Sequence, residues 1–275
     1  MPDNPPKLAS SIRVLFFGDI IGKAGRRGLA YQLPLWRAKF APDLIVANVE
    51  NIAHGLGIGR ASLEEIQKLG VNIFTGGNHI LQGKDALKLL ADETLPIMRP
   101  LNAPASWPGR GFVTKKIGNE TNVTVVNLIG QHGMREHFDS PFEAIETFLQ
   151  KDDVKQNIII VDMHAETTSE KKAMGYFLDG KTSVVLGTHT HVPTADEQIL
   201  PQGTGFISDA GMIGAHNSII GVKIKEALER LATNLPAKFE VEEAGPVEIN
   251  AVLVDIDKST KKTVGINRLR NIVDA

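Results

Sequence analysis

Val184-Val-Leu-Gly-Thr-His-Thr-His191 is a short, β-branched apolar run that ends in a glycine and two histidines. Its composition predicts a buried strand. Alternate residues of a strand share a face, so continued extension would turn His189 and His191 the same way. Two imidazoles on one face suit a transition metal. Taken alone, an H-x-H is more often two surface histidines. The pattern, however, recurs along the chain. Ile12 to Asp19 is an apolar run ending in a carboxylate, and Leu44 to Asn51 ends in Glu50 and Asn51. Val71 to His79 ends in Asn78 and His79, and Ile158 to His164 ends in another imidazole. Ligands of open α/β sheets sit beyond the carboxyl ends of the strands. Five runs delivering oxygen or nitrogen donors to such an edge predict an α/β protein with a polar, metal-competent site there.

The bounds agree. The 275 residues can bury a sizeable core, and 42% hydrophobic with 23% charged is the balance of an ordinary globular chain. A net charge of −2 gives no field for nucleic acid or an acidic membrane. The absence of cysteine removes disulfides, thiolate ligands and a cysteine nucleophile. No apolar run approaches the ~18 residues of a membrane span. Residues 1–11 are expected to be a flexible, polar lead-in without a signal-peptide core, which makes the cytoplasm the expected location. Residues 12–275 are expected to form a single domain, with βαβ units first and a hairpin-like C-terminal part, giving two sheets.

Between the strands, Gly22 and Gly25 are expected to bracket a turn before a helix marked by Leu29, Leu33, Trp36 and Phe40, with Pro34 inside it. Arg26 and Arg27 beside these glycines fit no phosphate-loop spacing. Ser62 and Glu65 predict a capping box opening a short helix, and Lys84–Leu90 another. Segments around Val113 and over 123–128 predict a hairpin turning at Gly118-Asn119. Ser140-Pro141 and Thr167 with Glu170 predict two further helix starts. A helix over 223–233 and strands over 239–242, 249–257 and 264–269 complete the reading.

A two-metal hydrolase needs a bridging carboxylate and terminal donors on each side, with ions ~3.5–4 Å apart. Asp19, Glu50, Asn51, Asn78, His164, His189 and His191 supply such a set. His79, directly after Asn78, is placed to protonate a leaving oxygen or steady developing charge. Singly, each has a plainer reading: Asp19 as a helix cap, Asn78 as a turn residue. His132, His137 and His216 read as surface or loop residues, whereas His54 sits in the glycine-rich loop after Glu50-Asn51 and is a candidate pocket residue.

Gly18-Asp19, Glu50-Asn51, Gly77-Asn-His79, His164 and Gly187-Thr-His-Thr-His191 resemble the ordered motifs of the calcineurin-like metallophosphoesterases. More narrowly, Asp162 to Glu170 and Thr233 to Pro236 resemble the bacterial YmdB-like cyclic-nucleotide phosphodiesterase branch, over nearly the whole chain. The superfamily's opening Asp-x-His lacks its histidine here, where Ile21 stands, and its bridging aspartate is Glu50; the branch shares both changes, with Asn51 in the missing histidine's place.

The resemblance implies a four-layer sandwich of two mixed β-sheets flanked by helices. It implies one site of Asp19, Glu50, Asn51 and His191 and a second of Glu50, Asn78, His164 and His189, with Glu50 bridging. Oxygen and imidazole donors suit iron or manganese. The implied activity is hydrolysis of 2′,3′- or 3′,5′-cyclic nucleotides by a metal-bound hydroxide, with His79 catalytic. The competing readings are a regulatory protein using the site as a nucleotide sensor, and an amidohydrolase-type barrel. The latter places its H-x-H on the first strand, whereas here it comes last. Beyond the cyclic-nucleotide or small phosphodiester substrate, the partner expectations are no membrane, no strong nucleic-acid signal, and compatibility with a homo-oligomer.

Overall fold

The computed structural model describes residues 7–118, 121–236 and 238–275. In chain order its elements are β1 (Ser11–Ile20), α1 (Gly22–Phe40), β2 (Leu44–Asn48), α2 (Arg60–Lys68), β3 (Ile73–Thr75) and α3 (Ala86–Ala91). Next come β4 (Phe112–Ile117), β5 (Thr121–Ile129), α4 (Pro141–Leu149), β6 (Ile158–His164), α5 (Thr168–Phe177) and β7 (Val184–Thr188). The chain continues with β8 (Gln198–Ile199), β9 (Gly205–Ile207), β10 (Met212–Ala215), α6 (Ile224–Thr233), β11 (Val247–Asp257) and β12 (Thr263–Val273). No helix among the described residues is long and apolar enough to cross a membrane.

Strand alternation builds the layers. Leu15 and Phe17 of β1 pack with Leu29, Leu33 and Trp36 of α1, whereas Val14 and Phe16 pack with Val123, Ile160 and Leu186 of the opposite sheet. The first sheet runs β12-β11-β10-β1-β2-β3 and the second β4-β5-β6-β7-β9-β8. Val126, Met163 and Val185 of the second sheet meet Ile145 and Phe148 of α4 and Met174 of α5 on its outer face. The result is helix, sheet, sheet, helix: the four-layer metallophosphoesterase-like sandwich with two mixed sheets.

Register places the site. Asp19 pairs with Asn48 and Asn48 with Thr75, so the carboxyl ends of β1, β2 and β3 stand level. Ile129, His164 and Thr188 stand level in β5, β6 and β7. The two rows face each other at one edge: Thr75 Oγ1 donates to Asp162 Oδ2 across the gap.

Several local expectations change. Gly22 and Gly25 lie inside α1, which starts at once because Gly25 N donates to Ile21 O at 2.8 Å. Ser62 is not a cap: Ile58 N pairs with Gln82 O and the extended Gly59 begins α2 at Arg60, two residues earlier. The helix expected from Lys84 starts at Ala86. Residues 239–242 form no ladder; Val241 alone bridges to Val222. Strand β10 was not foreseen. Thr167 caps α5 by accepting from Glu170 N, but the Glu170 carboxylate turns away to accept from Gln131 N and His132 N. Ser11, expected in the lead-in, pairs with Asp257 in β1; residues 1–6 of that lead-in and Asn119 of the expected turn lie outside the described residues.

Candidate metal centre

Asp19 and Glu50 are the carboxylates of the site, and both are buried. Asp19 Oδ2 accepts from His189 N at 3.0 Å, but Oδ1 has no hydrogen-bond partner. His191 Nε2 stands 3.8 Å from that oxygen, beyond bonding reach. Burial pushes the Asp19 carboxyl above its usual range, with His191 and His164 opposing. An unpartnered buried acceptor costs roughly 1–3 kcal/mol, more when charged, so this atom is one a cation would satisfy. Glu50 Oε2 accepts from His79 N at 2.9 Å. Its Oε1 lies 3.3 Å from Asn51 Nδ2, His79 Nδ1 and His164 Nε2. Burial works against charge on Glu50, yet His164 and then His79 hold its carboxyl well below the usual range. Gly77 admits this crowding, since a Cβ there would collide with the His164 ring and with Glu50 Oε2.

The hydrogen bonds assign the imidazole faces. Thr188 Oγ1 spends its proton on Asp162 Oδ1 at 2.7 Å, so at 2.9 Å it accepts from His164 Nδ1–H. His164 Nε2 therefore points inward, 3.1 Å from Asn78 Oδ1 and 3.1 Å from His189 Nδ1. His189 donates outward from Nε2 to Glu166 Oε2 at 3.0 Å, and His191 from Nδ1 to the Ile220 carbonyl at 2.9 Å. All three thus anchor one nitrogen and turn the other into the donor cluster, as metal-ligating histidines do. One ligand atom each from Glu50, His164 and His189 lies within 4.8 Å of the others. Burial and then the His164 charge push His189 down to about 3, keeping it neutral. Burial opposes charge on His164, but Glu50 draws it up to about 9. The arrangement stabilises a cation at His164 Nε2, proton or metal.

His189 and His191 do not arrive by strand alternation. β7 ends at Thr188, and both histidines have left-handed backbones, with φ of 99° and 66°. Between them Thr190 donates its N–H and hydroxyl to Asp209 Oδ2 at 3.1 and 2.7 Å. Asp209 is itself held by the buried Lys171 at 2.7 Å. A buried ion pair, not strand geometry, turns the two rings onto one site.

Asp19, Glu50, Asn51, Asn78, His79, His164, His189 and His191 therefore converge. His79 Nδ1 donates to Asn51 Oδ1 at 2.9 Å, which leaves Nε2 for the cavity. That cavity, of about 460 Å³, is lined by His79, His189, His191 and, at its exposed rim, His54. His132 and His137 are exposed outside the cluster, and His216 pairs with Glu248. Asp162, Thr188, Asp209, Lys171 and Glu166 were not foreseen as supporting residues. Asp162 had a signal, standing two residues before His164 on the same strand face. Burial pushes its carboxyl up to about 7 against the His164 charge. Arg26 and Arg27 serve structure, bonding to Glu65 and the Ile52 carbonyl, and to the Glu243 and Gly245 carbonyls.

Known proteins share this framework. The 2′,3′-cyclic-nucleotide 2′-phosphodiesterase of Bacillus subtilis (strain 168) is 37% identical over 258 residues, 94% of this chain and 96% of that protein. A crystal structure from Mycoplasma pneumoniae, described as a novel phosphatase, matches with a TM-score of 0.90 at 33% identity, covering 97% of this chain and 95% of that one. The crystal structure of a hypothetical protein from Thermus thermophilus matches at 0.88 and 36% identity, covering 95% and 99%. Since the sequence profile of the YmdB-like proteins also matches residues 15–269, this chain belongs to the YmdB-like family, a branch of the calcineurin-like metallophosphoesterases.

Proposed function

We propose that this chain is a metal-dependent phosphodiesterase acting on cyclic nucleotides, in the first place 2′,3′-cyclic nucleotides. The observation that carries this reading is the Glu50–His164–His189 donor cluster beside the unpartnered Asp19 Oδ1. The donors fit two ions: Asp19, Glu50, Asn51 and His191 would hold one, and Glu50, Asn78, His164 and His189 the other. Iron or manganese matches this oxygen and imidazole set. When bound there, two ions lower the pKa of a trapped water and offset charge on the phosphoryl group. The Bacillus relative's name supports a 2′,3′-cyclic substrate.

The chain's own residues supply the rest. Asn51 orients His79 through Nδ1, so an imidazolium can offer its Nε2 proton to the oxygen leaving phosphorus. Thr188 and Asp162 fix the His164 ring, and Glu166 and the Ile220 carbonyl fix His189 and His191. Among the described residues no serine lines the cavity, and attack by a metal-activated water would need no seryl intermediate.

A screen with defined metals across phosphomonoesters, linear diesters and both classes of cyclic nucleotide tests the reading. The expected result is turnover of a cyclic diester that requires added manganese or iron. Absence of diester turnover under every loading would overturn it.

A further inference from the structure

Part of the cavity wall comes from α6 and from the segment that carries Phe239 and Val241. Arg230 on α6 and Phe239 on that segment both line the cavity with His79, His189 and His191. The Arg230 guanidinium carbon lies 4.4 Å from the Phe239 ring centroid, covering one face of the ring. Phe239 nevertheless remains 45% exposed and belongs to none of the packed apolar clusters. An aromatic that contributes nothing to a core, yet is held in place at a polar cavity, has a surface to offer a ligand.

It is held in place. Lys223 N donates to the Glu240 carbonyl at 2.8 Å, and Glu242 N to the Gly221 carbonyl at 2.9 Å. Val241 lies against Gly55, where any Cβ would collide with the valine methyl. The three residues directly after Phe239 are thus pinned to the loops that carry His54 and Ile220. A cavity of about 460 Å³ also has room for a nucleotide, since small-ligand sites span roughly 300–1,000 Å³.

We infer that Phe239, backed by Arg230, is the surface on which the base of the substrate stacks, and so determines specificity for nucleotides over base-free diesters. This rests on the phosphodiesterase reading above. A nucleobase has a flat π-face that an aromatic ring accepts whatever the base, and a guanidinium on the far face strengthens the stack. Purines, with the larger face, bind better than pyrimidines.

The test compares adenosine 2′,3′-cyclic phosphate with glycerol 1,2-cyclic phosphate, which carries no base. Phe239→Ala should raise KM for the nucleotide about 10- to 100-fold, with kcat changed much less, and erase the preference for it over the glycerol ester. Phe239→Leu should behave like the alanine variant, whereas Phe239→Trp should keep the wild-type KM. Independently of turnover, adenosine 3′-monophosphate should quench the added fluorescence of Phe239→Trp. An unchanged nucleotide KM in Phe239→Ala, or equal losses on the two substrates, would overturn the inference while leaving the phosphodiesterase reading intact. If wild type hydrolyses neither ester, that reading fails, and the quenching measurement alone decides the platform: quenching supports it, no quenching overturns it.

Discussion

The hydroxyl of Thr190 donates to the Asp209 carboxylate at 2.7 Å, and the same oxygen receives Lys171 Nζ at 2.7 Å. This contact anchors the backbone between His189 and His191, both of which have left-handed conformations that a strand would not impose. We predict that Thr190→Val keeps the fold and weakens metal binding by roughly 10- to 100-fold, the usual cost of losing an outer support. Titration of the metal-free variant with manganese checks it. Asp209→Ala should be worse in a different way: it strands the buried Lys171 charge, costing roughly 3–5 kcal/mol of stability. Unchanged metal affinity in Thr190→Val would show that the loop holds itself.

Thr188 is the corresponding support of His164. Its hydroxyl relays from His164 Nδ1 to Asp162, fixing Nε2 as the inward nitrogen. Thr188→Val should weaken metal binding by roughly 10- to 100-fold, while Thr188→Ser restores it. A serine variant as poor as valine would mean that the methyl packing, not the hydrogen bond, matters.

His79 touches Asn51 and Glu50 yet keeps Nε2 for the cavity. His79→Ala should retain fold and metals and lower turnover of a cyclic nucleotide by about 10²–10⁴-fold. The loss should shrink on a nitrophenyl diester, whose leaving group needs little protonation. Equal losses on both substrates would remove His79 as the acid.

Away from the site, Glu248 on β11 accepts from Arg270 Nε and Nη2, from Asn250 and from His216. Burial opposes its charge, but these donors bring its carboxyl down to about 2 from an ordinary 4.5. A depressed folded-state value means stability that is fully present above the unfolded value and lost as pH falls through the folded one. Wild type should therefore lose stability between about pH 4.5 and 2 more steeply than Glu248→Gln. Denaturant midpoints across that range measure the difference; parallel curves would contradict the assignment.

Much of this was legible in the sequence, for identifiable reasons. The strands that carry Asp19 and His164, and the one that leads into Glu50 and Asn51, are apolar runs buried on both faces, so these donors could be placed at or just past strand ends before the sheets were known. Asn78 and His79 follow β3 in the same way. What was hidden depends on contacts distant in the chain. Asp209 supports Thr190 from 19 residues away, and Thr75 meets Asp162 from 87 away. Ser62 had the spacing of a cap, but the Ile58–Gln82 pairing had already begun the helix. Met212–Ala215 is only four residues of Met-Ile-Gly-Ala, too short to signal a strand without β1 and β11 on either side.

The central proposal is that Glu50 would be shared between two ions, with Asp19, Asn51 and His191 holding one and Asn78, His164 and His189 the other. Metal content per chain, measured by elemental analysis after reconstitution with manganese, tests it most directly. The account predicts two ions in wild type, about one in His164→Ala and none in Glu50→Ala, each variant retaining its fold by circular dichroism. Two ions remaining in Glu50→Ala, or none binding to wild type under any loading, would contradict it.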